Sequence, residues 1–393
     1  MPAAILSPNR GTRLQAERLA RPLAALLVFA STATAPLFGQ ENPQDDMNLK
    51  TRTLVGMPLI TNNPAMETAF GAVGMFLFKP NAQDSISPPS TLMATGLYST
   101  NDSYVFVAGG KFFLKEDHLR LTGFGGTSRI NNDFEYEIES QDVHLVYSEV
   151  RSFFGIVADH SIPGISKDLF VGLQYMGFWT SYSFTRGTDE QNQFTEELFS
   201  RLGIEDNYLS SIGVPVSFDT RDYPFYPTSG WDVTVRPKFF ATWLGGDNNY
   251  TDIDYDARYY YSFDPTKVMA FQLAGGSAFG DVPFGGYQMY GARNTLRGYA
   301  MGKYRGEHMV AGQAEFRWTF HGRFGAVGFA GLGTVWGGEL PEGKEVFEKG
   351  LLPSVGAGLR FTLSTEKRIN ARIDYAVGVN GNDGLYIGIM EAF

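Results

Sequence analysis

The stretch "GWDVTVRPKFF", residues 230–240, puts Trp231, Val233, Val235 and Phe239 on one face of an extended chain and Asp232, Thr234, Arg236 and Lys238 on the other. Successive side chains of a strand point to opposite sides, so this alternation describes a sheet with one oily and one wet face. From about residue 66 to the carboxy terminus the chain repeats the pattern, interrupted by polar turns. Such a long series of period-2 segments is the signature of a membrane barrel. The expected fold is therefore all-β, a transmembrane antiparallel β-barrel of about sixteen strands over 66–393. The first strand is expected at 68–79 and the last at 384–393, with 118–128 and 132–139 as separate strands.

Composition agrees with this class. The 32 Phe and 20 Tyr suit lipid-facing aromatic girdles, and the 46 Gly suit strands that bend. No run of eighteen apolar residues follows the amino terminus, which excludes a helical membrane protein. Cysteine is absent, which removes disulfides, thiolate metal sites and a lipidated cysteine. The formal charge of −10 argues against nucleic acid as a partner.

The amino-terminal region carries Arg10, Arg13, Arg18 and Arg21, then the apolar run Leu23 to Ala30, then Ala33-Thr34-Ala35. That order reads as a signal peptide over 1–35, and hence export. Residues 36–65, rich in Pro, Asn, Gln and Asp, read as a periplasmic linker.

A barrel should alternate short turns at its periplasmic end with longer outer loops. With the first strand running outward, "STND" near 100, "FDPTK", "HGR" and "STEKR" fall on the inner side. The long connections 186–207, 281–307 and 338–351 fall on the outer side. If the 230–263 hairpin turns around Gly245, Lys238 opposes Asp252, Arg236 opposes Asp254 and Asp232 opposes Arg258, so unlike charges face each other. Acids at every second position of a strand diverge, which does not suit a calcium loop in "DNNYTDIDYD".

The cationic, glycine-rich segment "GARNTLRGYAMGKYRGE" (291–307) needs a physical reason. An arginine facing lipid costs about 2–4 kcal/mol at the bilayer midplane, so Arg297 belongs in water or against a carboxylate inside the barrel. In "AGQAEFRWTF", Phe316, Trp318 and Phe320 take the lipid face and leave Glu315 and Arg317 inward. In "NARIDYAVGV", Ile373, Tyr375 and Val377 do so and leave Arg372, Asp374 and Ala376 inward.

The loop "NTLRGYAMGKYRGE" resembles the sixth outer loop, with its Arg-Gly-Phe/Tyr motif, of the BamA/TamA-type outer-membrane assembly barrels, the bacterial surface antigen superfamily. The resemblance continues in the inner turn "VSFDTRDYPFYPTSGWDV", with Asp219, Arg221, Asp222, Pro227 and Gly230 at the motif positions, and in "SVGAGLRF", "RIDYAVGV" and "GLYIGIMEAF". It implies that Leu296, Arg297, Gly298 and Tyr299 fold into the lumen. Arg297 would then contact an inward acid, Asp374 as first choice and Glu315 as second. Arg297→Ala or Asp374→Ala is expected to loosen the barrel, and exchanging the two charges to restore it in part. Lys303 and Arg305 match no motif and read as loop cations meeting lipopolysaccharide phosphates. Leu385, Ile387, Ile389 and the terminal Phe393 alternate toward lipid and are similar to the carboxy-terminal signal of assembled barrels.

Family members usually carry transport-associated domains ahead of the barrel, whereas this sequence reads as a member lacking them. The resemblance implies outer-membrane biogenesis, protein or lipid being inserted or translocated through a lateral seam between the first and last strands. Outer-membrane lipid, lipopolysaccharide and client outer-membrane proteins would be the partners. A passive, porin-like channel is the alternative, supported by the charged inner faces of 230–263. His118, His144, His160, His308 and His321 form no recognised catalytic arrangement, "GGYQMYG" is no phosphate loop, and neither enzymatic activity nor a cofactor or metal is expected.

Overall fold

The computed structural model describes residues 52–63, 66–138, 141–201, 204–289, 296–299, 303–338 and 350–393. The signal peptide and the 36–51 part of the linker lie outside the described residues. The strands, in chain order, are β1 (Arg52–Asn63), β2 (Glu67–Phe78), β3 (Ser90–Ser99), β4 (Tyr104–Leu114), β5 (Leu119–Ile138), β6 (Gln141–Ile162) and β7 (Ser166–Ser183). Helix α1 (Asp189–Arg201) follows, then β8 (Asn207–Gly213), β9 (Val216–Asp219), β10 (Gly230–Phe240), β11 (Tyr250–Asp264) and β12 (Lys267–Gly280). Two-residue β13 (Gln288–Met289) and β14 (Arg305–Gly306) pair with each other in the next connection. The chain ends with β15 (His308–His321), β16 (Phe324–Trp336), β17 (Leu352–Ser364), β18 (Ile369–Val377) and β19 (Asp383–Ile389).

Each barrel strand pairs antiparallel with its chain neighbour, and β19 meets β1 to close the sheet. β8 and β9 both lie between β7 and β10 and form one strand interrupted at Val214-Pro215, where proline has no N–H to give the ladder. Counted so, the closed barrel has sixteen strands. Its surface is inverted relative to a water-soluble protein. Along β15, Phe316, Trp318 and Phe320 are exposed while Glu315 and Arg317 are buried; along β10, Trp231, Val235 and Phe239 are exposed while Lys238 is buried. An outward apolar face of this kind suits hydrocarbon, and pairing between neighbouring strands satisfies the backbone groups that hydrocarbon could not. None of the described helices is long and apolar enough to cross a membrane.

Two strands differ from the sequence expectation. β1 occupies 52–63, inside the segment read as linker, and β5 is one strand of 20 residues where two were expected. The errors cancel in the count but invert the side of every turn between them. "STND" therefore lies at the same end as the long connections, and the short β6–β7 turn, 163–165, lies opposite them. β1 hides because Gly56 and Pro58 read as loop residues, and proline is tolerated at a sheet edge. β5 was split because Asn131-Asn132-Asp133 looks like a turn. Asn131 instead sits buried among inward polar partners: its N–H donates to Ser103 Oγ (2.9 Å), its Nδ2 to the Asn101 carbonyl (2.7 Å), and its Oδ1 accepts from Ser148 Oγ (2.6 Å).

Candidate functional site: an arginine network within the barrel

The 296–299 segment makes a tight turn. Leu296 holds φ 55° and Gly298 φ 104°, the left-handed region glycine enters freely. A Cβ on Gly298 would lie 3.1 Å from the Val377 carbonyl carbon, so only glycine lets this backbone approach β18 without displacing it. The turn is fastened on three sides. Ser354 Oγ on β17 donates to the Arg297 carbonyl, Gly298 N–H donates to Tyr386 Oη on β19 (2.8 Å), and Tyr299 Oη accepts from Val379 N–H (3.2 Å) while donating to the Pro353 carbonyl. Leu296, Tyr299 and Tyr304 are buried with Met309, Ala311, Val335 and Leu352.

Arg297 is 2 % exposed. Its Nη1 donates to Asp374 Oδ2 (2.5 Å), its Nη2 donates to Glu315 Oε2 (2.7 Å), and its guanidinium lies 3.4 Å from the Phe329 ring centroid. The two acids offered as alternatives by the sequence are engaged together. Arg360 donates to Asp374 Oδ1 (2.5 Å) and to Glu391 Oε2 (2.6 Å), Arg317 donates to Glu315 Oε1 (2.9 Å), and Arg372 donates to Asp374 Oδ2 (3.3 Å). Asp374 and Glu315 are each 0 % exposed. Charges taken fully out of water are tolerated only when paired and hydrogen-bonded, and sharing each carboxylate among several guanidiniums meets that condition. The network ties β15, β17 and β18 to one loop turn. The sequence assigned no roles to Arg317, Arg360 and Glu391; inward phase was the signal for the two arginines, whereas Glu391 lies past β19, beyond the Met390 turn, where strand alternation no longer applies.

Arg305 departs from its reading as a surface cation. It is 3 % exposed, donates to Glu149 Oε2 on β6 (2.7 Å) and stacks 4.5 Å from the Phe284 ring. Its partner lies 156 residues away in sequence, beyond any local pattern. Phe284 and Phe199 of α1 pack with Tyr147 in the same buried cluster. Lys303 is partly exposed and lies 5.8 Å from the Tyr304 ring.

The motif turn between β9 and β10 forms a second polar centre at the short-turn end. Arg221 donates to both oxygens of Asp219 (2.8 and 3.0 Å) and pairs with Asp232 (3.0 Å), while Arg120 joins Asp219 (3.1 Å) to Asp117 (2.6 Å). Asp222 accepts from the amides of Thr228 (2.7 Å) and Ser229 (3.1 Å) and from Arg368 (2.8 Å). Burial pushes the Asp222 carboxyl up, but these donors outweigh it and hold it below the usual carboxylate range. Pro227 is buried within the turn. Gly230 has φ 100°, and a Cβ there would meet the Thr220 carbonyl oxygen at 2.3 Å.

At the carboxy terminus, Leu385 and Ile387 pair across from Tyr375 and Ile373 on the outer phase, as alternation requires. Three residues depart from the lipid-facing expectation, the first being Ile387, which is partly buried against the same apolar cluster as Ile389. Ile389 is buried among Val55, Leu59, Val73, Met75, Leu77 and Ile369. After β19 the chain turns at Met390 (φ 67°), and Phe393 is buried with Tyr260, Ala270 and Ala392. The Phe393 carbonyl accepts from Arg317 Nη2 (2.6 Å) and its ring lies 5.6 Å from that guanidinium, which draws the aromatic inward.

The β10–β11 register places Lys238 opposite Asp252, Arg236 opposite Asp254 and Asp232 opposite Arg258, as charge complementarity requires. Lys238 Nζ bridges Asp252 (2.7 Å) and Asp254 (2.9 Å). One histidine does find a serine: His118 Nδ1 lies 2.6 Å from Ser161 Oγ. That hydroxyl belongs to a buried residue of the β6–β7 ladder, opposite Phe170. Closure itself is thin. Among the described residues, β1 and β19 share one register pair, Asn62 opposite Leu385, with Thr61 Oγ1 donating to the Leu385 carbonyl (2.7 Å), whereas β1 pairs with β2 along its whole length.

The Omp85 superfamily domain matches residues 121–391. Solved barrels are similar in fold. BamA from Haemophilus ducreyi lacking POTRA domains 1–3 has 14% identity and TM-score 0.53, over 86% of this chain and 70% of that one. CdiB from Acinetobacter baumannii has 12% identity and TM-score 0.54, over 87% and 60%; CdiB from Escherichia coli has 12% and 0.53, over 86% and 63%. The chain thus spans less than two thirds of either CdiB. No curated protein matches it in sequence.

Proposed function

Because the chain belongs to the Omp85 superfamily, we propose that it acts in bacterial outer-membrane biogenesis, inserting or translocating protein or lipid at the seam between β1 and β19. The observation that carries this reading is that, among the described residues, closure rests on a single register pair, in a barrel whose other neighbours pair over long stretches. A strand edge without a ladder strands N–H and C=O groups where no water can meet them, which costs several kcal/mol per group in hydrocarbon. An incoming client strand would satisfy that edge by pairing with it, as in strand addition to an open sheet. The β1 side is the yielding one. The opposite side is stiffened, because the arginine network clamps β15, β17 and β18 to the loop turn that also holds Tyr386 of β19.

In this reading the Arg-Gly-Tyr turn is a lumenal brace, and outer-membrane proteins are the clients. Lys303, partly exposed at the long-loop end, is the residue of this loop offered to lipopolysaccharide phosphates. The work is mechanical rather than catalytic. The porin-like alternative draws on the inward charges of β10 and β11, but Lys238 is taken up there in bridging Asp252 and Asp254. Planar-bilayer recording separates the two, a steady ohmic conductance favouring the channel and small, erratic currents favouring the braced barrel. Insertion of a model barrel into liposomes with and without the purified protein tests the role itself: faster insertion with the protein supports it, and equal rates contradict it.

A further inference from the structure

Among the buried apolar clusters of the described residues, one lies beside the seam. Val55 and Leu59 of β1, Val73, Met75 and Leu77 of β2, and Ile369 and Ile389 of the last two strands form a single buried cluster. It adjoins the part of β1 below Asn62, where the ladder to β19 is missing. The cluster is completed from far away. Phe225 packs against it, and Phe225 belongs to the turn between β9 and β10, the eighth and ninth of sixteen strands counted from the seam. The turn therefore reaches across the lumen at the short-turn end.

Both ends of that reach are secured. At its root stand the Arg221, Asp219 and Asp232 pairs and the strained Gly230 position described above, and Pro224 and Pro227 stiffen the tip. On the far side, Arg368, in the turn before β18, donates to Asp222 (2.8 Å) and stacks 5.3 Å from the Tyr223 ring; the Tyr226 ring lies 5.8 Å from the Arg317 guanidinium. A stiff turn anchored at one wall thus delivers an aromatic ring to the apolar cluster beside the two closing strands.

We infer that Phe225 is a positioning residue for the seam: its ring occupies the apolar cluster as a wedge that keeps the lower halves of β1 and β19 from zipping together. The inference rests on the seam reading and adds the element that sets the gap. Unpaired strand edges in hydrocarbon gain hydrogen bonds by closing on each other, so something with volume must hold them apart. The cluster supplies that volume, and among its described members Phe225 is the one carried by a turn from the far wall rather than by the strands around the seam.

Because the chain has no cysteine, engineered pairs report the gap cleanly. Extending the antiparallel register from Asn62 and Leu385 brings Ile60 opposite Ile387. Disulfide formation in the Ile60→Cys/Ile387→Cys protein, reconstituted in liposomes, should run severalfold faster when Phe225→Ala is added. Phe225→Met, which keeps the bulk, should restore the original rate. The Asn62→Cys/Leu385→Cys pair, already in register, should oxidise equally in both backgrounds. Arg368→Gln removes a tether without touching the cluster and should also speed the lower pair, which keeps the test open if Phe225→Ala fails to fold. An unchanged or slower lower-pair rate in a folded barrel overturns the wedge. The readout needs no client, so it can fail while the insertion assay succeeds, and the reverse.

Discussion

Arg297 meets Asp374 and Glu315 together because the Leu296 to Gly298 turn brings its guanidinium between β15 and β18, with the Phe329 ring against its flat face. Removing one member of a buried ion pair leaves the others uncompensated, a loss of about 3–5 kcal/mol. Arg297→Ala should accordingly lower the temperature at which the folded band converts on unboiled gels, and Arg297→Lys, which keeps the charge but not the two-pronged donor, should fall between. Exchanging Arg297 and Asp374 should not restore stability, contrary to the expectation from sequence. An arginine at 374 would face Arg360 and Arg372, both of which already donate to that carboxylate. Residue 374 looked like one half of a pair in the sequence, because inward phase is visible in a strand but the number of partners sharing a site is not. Asp222 gives a pH prediction. Its folded value is held below the ordinary one, so its contribution is present above the unfolded value of about 3.9 and is lost as pH falls through the depressed folded value. Protease cleavage within 220–229 should stay slow at neutral pH and rise only in strong acid, and Asp222→Asn should raise it at neutral pH.

Strands differ in how openly the chain declares them. β10 and β11 were legible down to register, since alternating side chains fix the faces and complementary charges choose the pairing. β5 was not, because buried asparagines in a polar lumen carry the same letters as a turn. β1 was not, because Gly56 and Pro58 read as loop residues, although the strand pairs with β2 along its whole length. The carboxy-terminal tail misled in another way, since the aromatic that alternation sends outward is pulled in by Arg317 once Met390 turns the chain. The contrast between edge and interior is measurable. In hydrogen exchange, amides in β16 and β17, laddered on both sides, should be strongly protected, while those of 53–60 in β1 that lack a partner on the β19 side should exchange far faster. Equal protection in the two regions would show that closure is complete in solution.

Over the whole molecule, the sixteen-stranded closed barrel places a braced wall beside a seam held by one register pair, with a turn from the far wall packed into the apolar patch next to it. The barrel class and the Arg297 loop were readable from alternation and motif. The thin closure was not, because it lies in the relation between the two ends of the sequence, and no local pattern in either strand records it. The account's central claim is that function passes through this seam. It is tested most directly by locking the seam with an Asn62→Cys/Leu385→Cys disulfide and measuring insertion of a model barrel into liposomes before and after reduction. The account predicts that the oxidised protein inserts no faster than protein-free liposomes and that reduction restores the rate; oxidised protein as active as reduced would contradict it.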